Sequence, residues 1–196
     1  LPLSIGDGEL CDTALTTVSV PEMFRYWLQG GRITVGFLGG AQIDRFANLN
    51  TTVVGPYDAP KVRLPGGGGA PEIATACQEI FITIAMGKRT FVDKLPFITS
   101  MGHGERGDHR ARPGVRTKGP TRGMPDPCVL EPDPVTKELT VVSLHPGVTR
   151  EAVSAGAGWP VRFAADVVET PPPTAEELSV LRELHERTRR AHASAA

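Results

Sequence analysis

Residues 64–86, LPGGGGAPEIATACQEIFITIAM, bring a glycine loop, a helix start and a β-branched run into direct succession. Pro71 fits the first turn of a helix running through Cys77, because the amide hydrogen that proline lacks has no intrahelical partner there. The run from Glu79 to Met86 is rich in Ile and Phe and has the length and chemistry of a strand. On its N-terminal side, Ile33, Val35, Phe37 and Leu38, closed by Gly39-Gly40, read as a buried strand. Before that, Ser19-Val20-Pro21-Glu22 signals the start of a helix with an apolar face at Met23, Phe24, Trp27 and Leu28. Gly30-Gly31 would end this helix, where a left-handed residue is needed. Asp44 to Asn50 is polar and turn-like, and Thr51 to Val54 is a second short strand. Strands and short helices alternate, which predicts an α/β domain with an open, mostly parallel sheet flanked by helices.

Further along, Thr90 to Ile98 is another apolar run and reads as a strand. The stretch from Met101 to Arg122 carries Arg106, Arg110, Arg112, Arg116, Lys118 and Arg122 among many glycines and no aromatic residue. It is expected to be a long surface loop, its cations solvated or in contact with ligand phosphates, with His103 and His109 solvated as well. Val129-Leu130 and Leu139 to Leu144 suggest a hairpin around Asp133-Pro134, and Thr149 to Ala155 a short helix. Pro171-Pro172-Pro173 is a rigid spacer. Thr174-Ala175-Glu176-Glu177 is a capping box that opens a last helix with Leu178, Leu181 and Leu184 on one side. Its tail, Arg187 to Ala196, is expected to fray. The implied organisation is one domain over 1–170, with the spacer and helix over 171–196.

The composition of the 196 residues, 40% apolar and 22% charged with a formal net charge of −1, is that of a globular protein. It argues against a nucleic-acid binder selected for global basicity and against a disordered chain. The 22 glycines and 18 prolines point to many tight turns. Cys11, Cys77 and Cys128 are odd in number and far apart, so neither a disulfide framework nor a CxxC metal site is available, and a reducing cytoplasm is the expected location. No apolar run approaches the ~18 residues of a membrane span. Neither a nucleic-acid nor a membrane partner is expected, and no metal.

The four glycines at 66 to 69 are the strongest local signal. Lacking side chains, they let the backbone approach a ligand and turn successive amides toward one anion or oxyanion. On glycines alone, a flexible turn is an equal reading. The GxGxxG and GK[ST] patterns of dinucleotide and phosphate loops are absent. Glu72, in the first turn of the following helix, has a structural reading that outweighs a catalytic one. His145 has no Ser or Cys beside it in a nucleophile context, so no triad is indicated.

Taken together, Val35-Gly36-Phe37-Leu38-Gly39-Gly40-Ala41-Gln42-Ile43-Asp44, then Asn48-Leu49-Asn50, then Gly66 to Ala74 resemble the β subunit of family I coenzyme A transferases, in order and in spacing. The glutaconate and 3-oxoadipate branch is most similar, with counterparts to Phe97-Ile98-Thr99-Ser100, Leu144-His145-Pro146-Gly147-Val148-Thr149 and Gly158-Trp159. The resemblance implies a CoA-transferase fold and a heteromer formed with an α subunit in an α2β2 tetramer. The implied reaction moves CoA from an acyl-CoA, succinyl-CoA by preference, to a 3-oxo or dicarboxylic acid such as 3-oxoadipate. It would pass through a glutamyl-CoA intermediate, with the CoA thioester as substrate and no permanently bound cofactor. Gly67, Gly68, Gly69 and Ala70 would donate amides to the oxyanion, and Gln42 and Asn50 would line the pocket. The family's nucleophilic glutamate lies just ahead of the part that matches Leu1 to Gly8, so an N-terminal piece carrying it is expected to be missing. Neither Glu9 nor Glu72 sits in the matching motif. Two departures stand out: Ala47 replaces a turn glycine, and Gly123-Met124-Pro125-Asp126-Pro127 replaces a more strand-like stretch. A CoA-ester ring-opening hydrolase of steroid catabolism and a non-catalytic CoA-binding or scaffold protein are the alternatives.

Overall fold

A computed structural model describes Leu3, residues 7–111 and residues 115–194. Among the described residues the elements run α1 (Glu9–Asp12), α2 (Val20–Glu22), a π-helical stretch Met23–Leu28, β1 (Val35–Leu38), β2 (Gln42–Ile43), β3 (Leu49–Asn50), β4 (Val53–Val54), β5 (Val62–Arg63), α3 (Ala70–Ala76) and β6 (Glu79–Thr83). A 3-10 turn, His109–Ala111, precedes β7 (Gly119–Met124), β8 (Cys128–Pro132), β9 (Leu139–Leu144), α4 (Arg150–Gly156), β10 (Arg162–Glu169) and α5 (Ala175–Ser194). Two compact units emerge: the described part of Leu1–Val20 with Pro171–Ala196, and Pro21–Thr170.

The larger unit is built on a six-stranded sheet in the order β1-β6-β7-β8-β9-β10. The pairs β1/β6, β6/β7 and β9/β10 are parallel, and β8 is antiparallel to both neighbours. Reversal of β8 alone leaves a mostly parallel sheet, as alternating strands and helices predicted. Parallel neighbours need a crossover, and α3 is the crossover helix leading into β6. A crossover helix runs against its strands, so the glycine loop that begins it lies at the carboxyl ends of β1 and β6. Ile80, Ile82, Leu130, Val141 and Phe91 fill the core, and Phe91 stacks on Trp159 with ring centroids 5.6 Å apart.

Several expectations hold in detail. Gly31 adopts φ +71° after the π-helical stretch, and Thr149 Oγ1 accepts from Ala152 N at 3.2 Å to cap α4. Within the smaller unit, the capping box is formed: Thr174 N donates to Glu177 Oε2 at 2.7 Å and Glu177 N to Thr174 Oγ1 at 3.2 Å.

Others need correction. The segment after Pro21 winds as a π-helix, with Gln29 N donating to Phe24 O at 2.9 Å. β1 is an edge strand with alternating burial, so Phe37 is 65% exposed. Thr90 to Ile98 is no strand: Thr90 and Phe91 donate back to Gly87 O at 2.9 and 2.7 Å, which consumes ladder donors, and a single bridge joins Phe91 to Ile43. Of its apolar residues Phe91 is fully buried in the core, whereas Ile98 is 39% exposed. β10, RFAADVVE, is a strand that the sequence does not predict: all its residues are exposed or half-buried, so its apolar and polar residues follow no clear alternation.

The basic stretch is also not simply solvated. Arg110 is 7% exposed and buried among carbonyls, while His103 is buried with its Nε2 donating to Pro120 O at 2.8 Å. Arg112, residues 1, 2 and 4–6 of the N-terminal match, and Ala195-Ala196 of the tail lie outside the described residues. Burial lowers the His103 pKa from its ordinary 6.5. The unfolded chain therefore binds a proton that the folded chain refuses, and stability should fall as pH drops through about 6.5, by up to ~1.4 kcal/mol per pH unit. Denaturant titrations between pH 7.5 and 5.5 should show this slope, and His103→Asn should flatten it.

Ala47 occupies φ +60° in the tight turn between β2 and β3, where Asp44 Oδ1 accepts from Phe46 N at 2.9 Å and Asn48 N at 3.0 Å. A left-handed alanine is strained by about 1–2 kcal/mol. Ala47→Gly relieves that strain but loses a buried methyl and frees the unfolded chain, so stability should stay within about 1 kcal/mol. Ala47→Val, branched at a position with φ +60°, should lose about 2 kcal/mol or more in urea unfolding.

Candidate active site

The glycine loop is fastened at its start and left open in its middle. Gly66 N donates to Thr51 O at 2.8 Å, and Thr51 Oγ1 donates to Gly66 O at 2.8 Å. Thr99 Oγ1 accepts from Thr51 N at 2.9 Å and shares a 2.7 Å hydrogen bond with Thr52 Oγ1. Gly66 and Gly68 take φ +99° and +50°, a region that glycine enters without a Cβ penalty. A Cβ on Gly67 would lie 3.1 Å from Pro71 and 3.3 Å from Thr99.

Among the described residues, the amides of Gly67, Gly68 and Gly69 have no acceptor. Ala70 differs. Its N–H donates to Gly67 O at 2.9 Å, closing the turn into α3, so the expected fourth donor is already engaged. Gly69 has φ −87°, an ordinary helical value. Its glycine identity answers a neighbour instead: a Cβ there would sit 2.5 Å from Phe24 Cζ. Sequence spacing could not reveal this, because Phe24 lies on a separate element.

The pocket-lining residues fare unequally. Asn50 is 0% exposed and saturated, its Nδ2 donating to Val53 O at 2.6 Å and Gln42 Oε1 at 2.9 Å while its Oδ1 accepts from Thr52 and Val53 amides. It holds the turn into β4, since an Asn side chain mimics a backbone partner at such turns. Gln42 is 9% exposed and donates to Arg89 O at 3.4 Å. Glu72 lies in the first turn of α3, as its position in the sequence predicts, and accepts from Gln29 Nε2.

At the carboxyl ends of β9 and β10, His145 Nδ1 meets Thr170 Oγ1 at 2.9 Å, which in turn is 3.0 Å from Ser143 Oγ. No group of His, Cys, Asp and Glu among the described residues is placed to hold a metal. None of the helices among them is long and apolar enough to cross a membrane.

A mostly parallel α/β core thus presents, at its strand ends, three adjacent glycine amides with no acceptor among the described residues. The family model described as Coenzyme A transferase matches residues 2–156, and the chain belongs to that family. It is 60% identical over 192 residues to the B subunit of a 3-oxoadipate CoA-transferase of Pseudomonas knackmussii, covering 98% of this chain and 74% of that one. It is 28% identical over 193 residues to a cholesterol ring-cleaving hydrolase IpdB subunit of Rhodococcus jostii, covering 93% and 75%. Among solved structures, glutaconate coenzyme A-transferase from Acidaminococcus fermentans superimposes with a TM-score of 0.74 at 31% identity, over 84% of this chain and 63% of that one. The chain thus spans about three quarters of one relative and under two thirds of the other.

Proposed function

We propose that this chain is the β subunit of a CoA-transferase that passes CoA from succinyl-CoA to 3-oxoadipate or a close 3-oxo or dicarboxylic acid. The observation that carries this reading is the run of free amides at Gly67, Gly68 and Gly69, in a chain 60% identical to the B subunit of a 3-oxoadipate CoA-transferase. A glutamate carboxylate attacks the thioester carbonyl, and the carbonyl oxygen becomes negative. The free amides stabilise that charge, each donor contributing about 3–4 kcal/mol in comparable sites. Collapse expels the CoA thiolate and leaves a glutamyl anhydride. The thiolate then attacks the glutamyl carbonyl, releasing succinate and forming the glutamyl-CoA thioester. The acceptor acid reverses the sequence.

Neither Glu72, engaged with Gln29, nor Glu9, which pairs with Arg187, is assigned the nucleophile. The reading includes an α-subunit partner in an α2β2 assembly, which the exposed Tyr26 and Phe37 support by leaving apolar surface. The ring-opening hydrolase reading rests on the weaker 28% likeness. Mixing the assembled α and β subunits with succinyl-CoA and 3-oxoadipate should yield 3-oxoadipyl-CoA and succinate in equal amounts. Unchanged succinyl-CoA, together with water-dependent opening of a carbon ring in a cyclic CoA ester whose thioester stays intact, would favour the hydrolase, and binding of CoA without either reaction would favour the scaffold.

A further inference from the structure

Between β4 and β5 the chain makes a hairpin, Gly55-Pro56-Tyr57-Asp58-Ala59-Pro60-Lys61, that the glycine-loop chemistry does not use. Two prolines stiffen it, and Gly55 at φ +89° lies against Lys61. Tyr57 is 51% exposed although its ring stacks on Phe97, with centroids 5.3 Å apart and planes 23° from parallel. On Tyr57 rests the Arg63 guanidinium, its Cζ 4.8 Å from the ring centroid and its Nη2 donating to Tyr57 O at 3.1 Å. The result is an ordered Arg63–Tyr57–Phe97 column on the surface, with the exposed Lys61 in the same hairpin.

This column is tied to the glycine loop from both ends. β5 runs directly into the loop, with Leu64 N donating to Thr52 O at 3.0 Å and Gly66 N to Thr51 O at 2.8 Å. Phe97 lies two residues before Thr99, which packs on Gly67. From Arg63 to Gly67 the backbone covers no more than about 14 Å, the same order of reach as an extended pantetheine arm.

We propose that the Arg63–Tyr57–Phe97 column is the subsite for the adenine nucleotide end of the CoA thioester whose carbonyl the glycine loop receives. The inference rests on the CoA-transferase reading above. The base stacks on the outer face of the Arg63 guanidinium, a flat cation that aromatic rings and bases both stack against. Tyr57 and its own carbonyl hold that plane still, so little ordering remains for the ligand to impose. Lys61 faces the phosphates as a point charge.

The test is calorimetric binding of CoA, adenosine 3′,5′-bisphosphate and pantetheine to the full chain, alone and assembled with its α-subunit partner. Tyr57→Ala and Arg63→Ala should each weaken CoA and the bisphosphate about tenfold or more and leave pantetheine unchanged. Tyr57→Phe should bind like the parent, while Arg63→Lys, which keeps the charge and loses the plane, should fall between. Thermal melts of each variant should match the parent, which separates lost binding from lost fold. If turnover of succinyl-CoA responds to Gly68→Ala but neither CoA nor bisphosphate binding responds at 57 and 63, the subsite is wrong and the CoA-transferase reading stands. A parent chain that fails to bind the bisphosphate also overturns the subsite. Failure of the assembled protein to bind CoA at all overturns both.

Discussion

Turnover of the assembled transferase is expected to fall about 10²- to 10³-fold on Gly69→Val, with a stability loss of only about 1–3 kcal/mol. The cause is not backbone strain, because φ −87° at Gly69 is open to any residue. A side chain there would meet the Phe24 ring at 2.5 Å. The loop is fastened upstream through Gly66 and Thr51, so the displacement falls on the Gly68 and Gly69 amides, and an oxyanion donor loses its value when misaimed by a fraction of an ångström. Phe24→Leu in the same chain should recover at least tenfold of the loss by making room. Steady-state kinetics with thermal unfolding on each variant checks both claims. Wild-type turnover in a folded Gly69→Val protein would remove the glycine amides from the mechanism.

Arg110→Leu should cost about 3–5 kcal/mol of stability. The guanidinium donates through Nη1 to Ala74 O at 3.1 Å and Gly102 O at 3.3 Å, and through Nη2 to Thr117 Oγ1 at 2.5 Å. It thereby joins the last turn of α3 to the stretch leading into β7. Gly119 at φ +74° leaves room for it, since a Cβ there would lie 2.7 Å from Arg110 Cζ. Leucine fills much of the volume but strands these buried acceptors, and an unmet buried acceptor costs more than a made hydrogen bond gains. Arg110→Lys, able to reach some acceptors, should lie between. Urea denaturation measures the difference, and a loss under about 1 kcal/mol would mean that water reaches those carbonyls.

Local order in this protein was legible in the residues themselves. Pro71 after four glycines, the Thr174–Glu177 box and the Ile-rich run at 79–83 depend on near neighbours, and each forms as its chemistry directs. The alternation of such segments is enough to imply a parallel α/β sheet, because parallel strands must be joined by crossovers. Gly68 likewise shows its conformation by type, since φ +50° is a left-handed value that glycine adopts without a Cβ penalty.

The tertiary structure decided what depends on distant partners. Arg110 and His103 sit in a polar, glycine-rich stretch that reads as solvated loop, yet carbonyls from Ala74, Gly102 and Pro120 are brought around them. Phe37 reads as buried because parallel strands are usually covered on both faces, but its strand stands at a sheet edge. Ala70 shares the loop with its donor glycines, and only the turn closed onto Gly67 O removes its amide from them. Sequence by itself determined the glycine loop, the helix it opens, the strands at 35–38 and 79–83 and the class of sheet, since these follow from backbone preference and short-range hydrogen bonding. The folded chain alone determined which amides stay free, why Gly69 must lack a side chain and which cations are buried, since each is set by groups brought within a few ångströms in space by the fold rather than by the order of the residues.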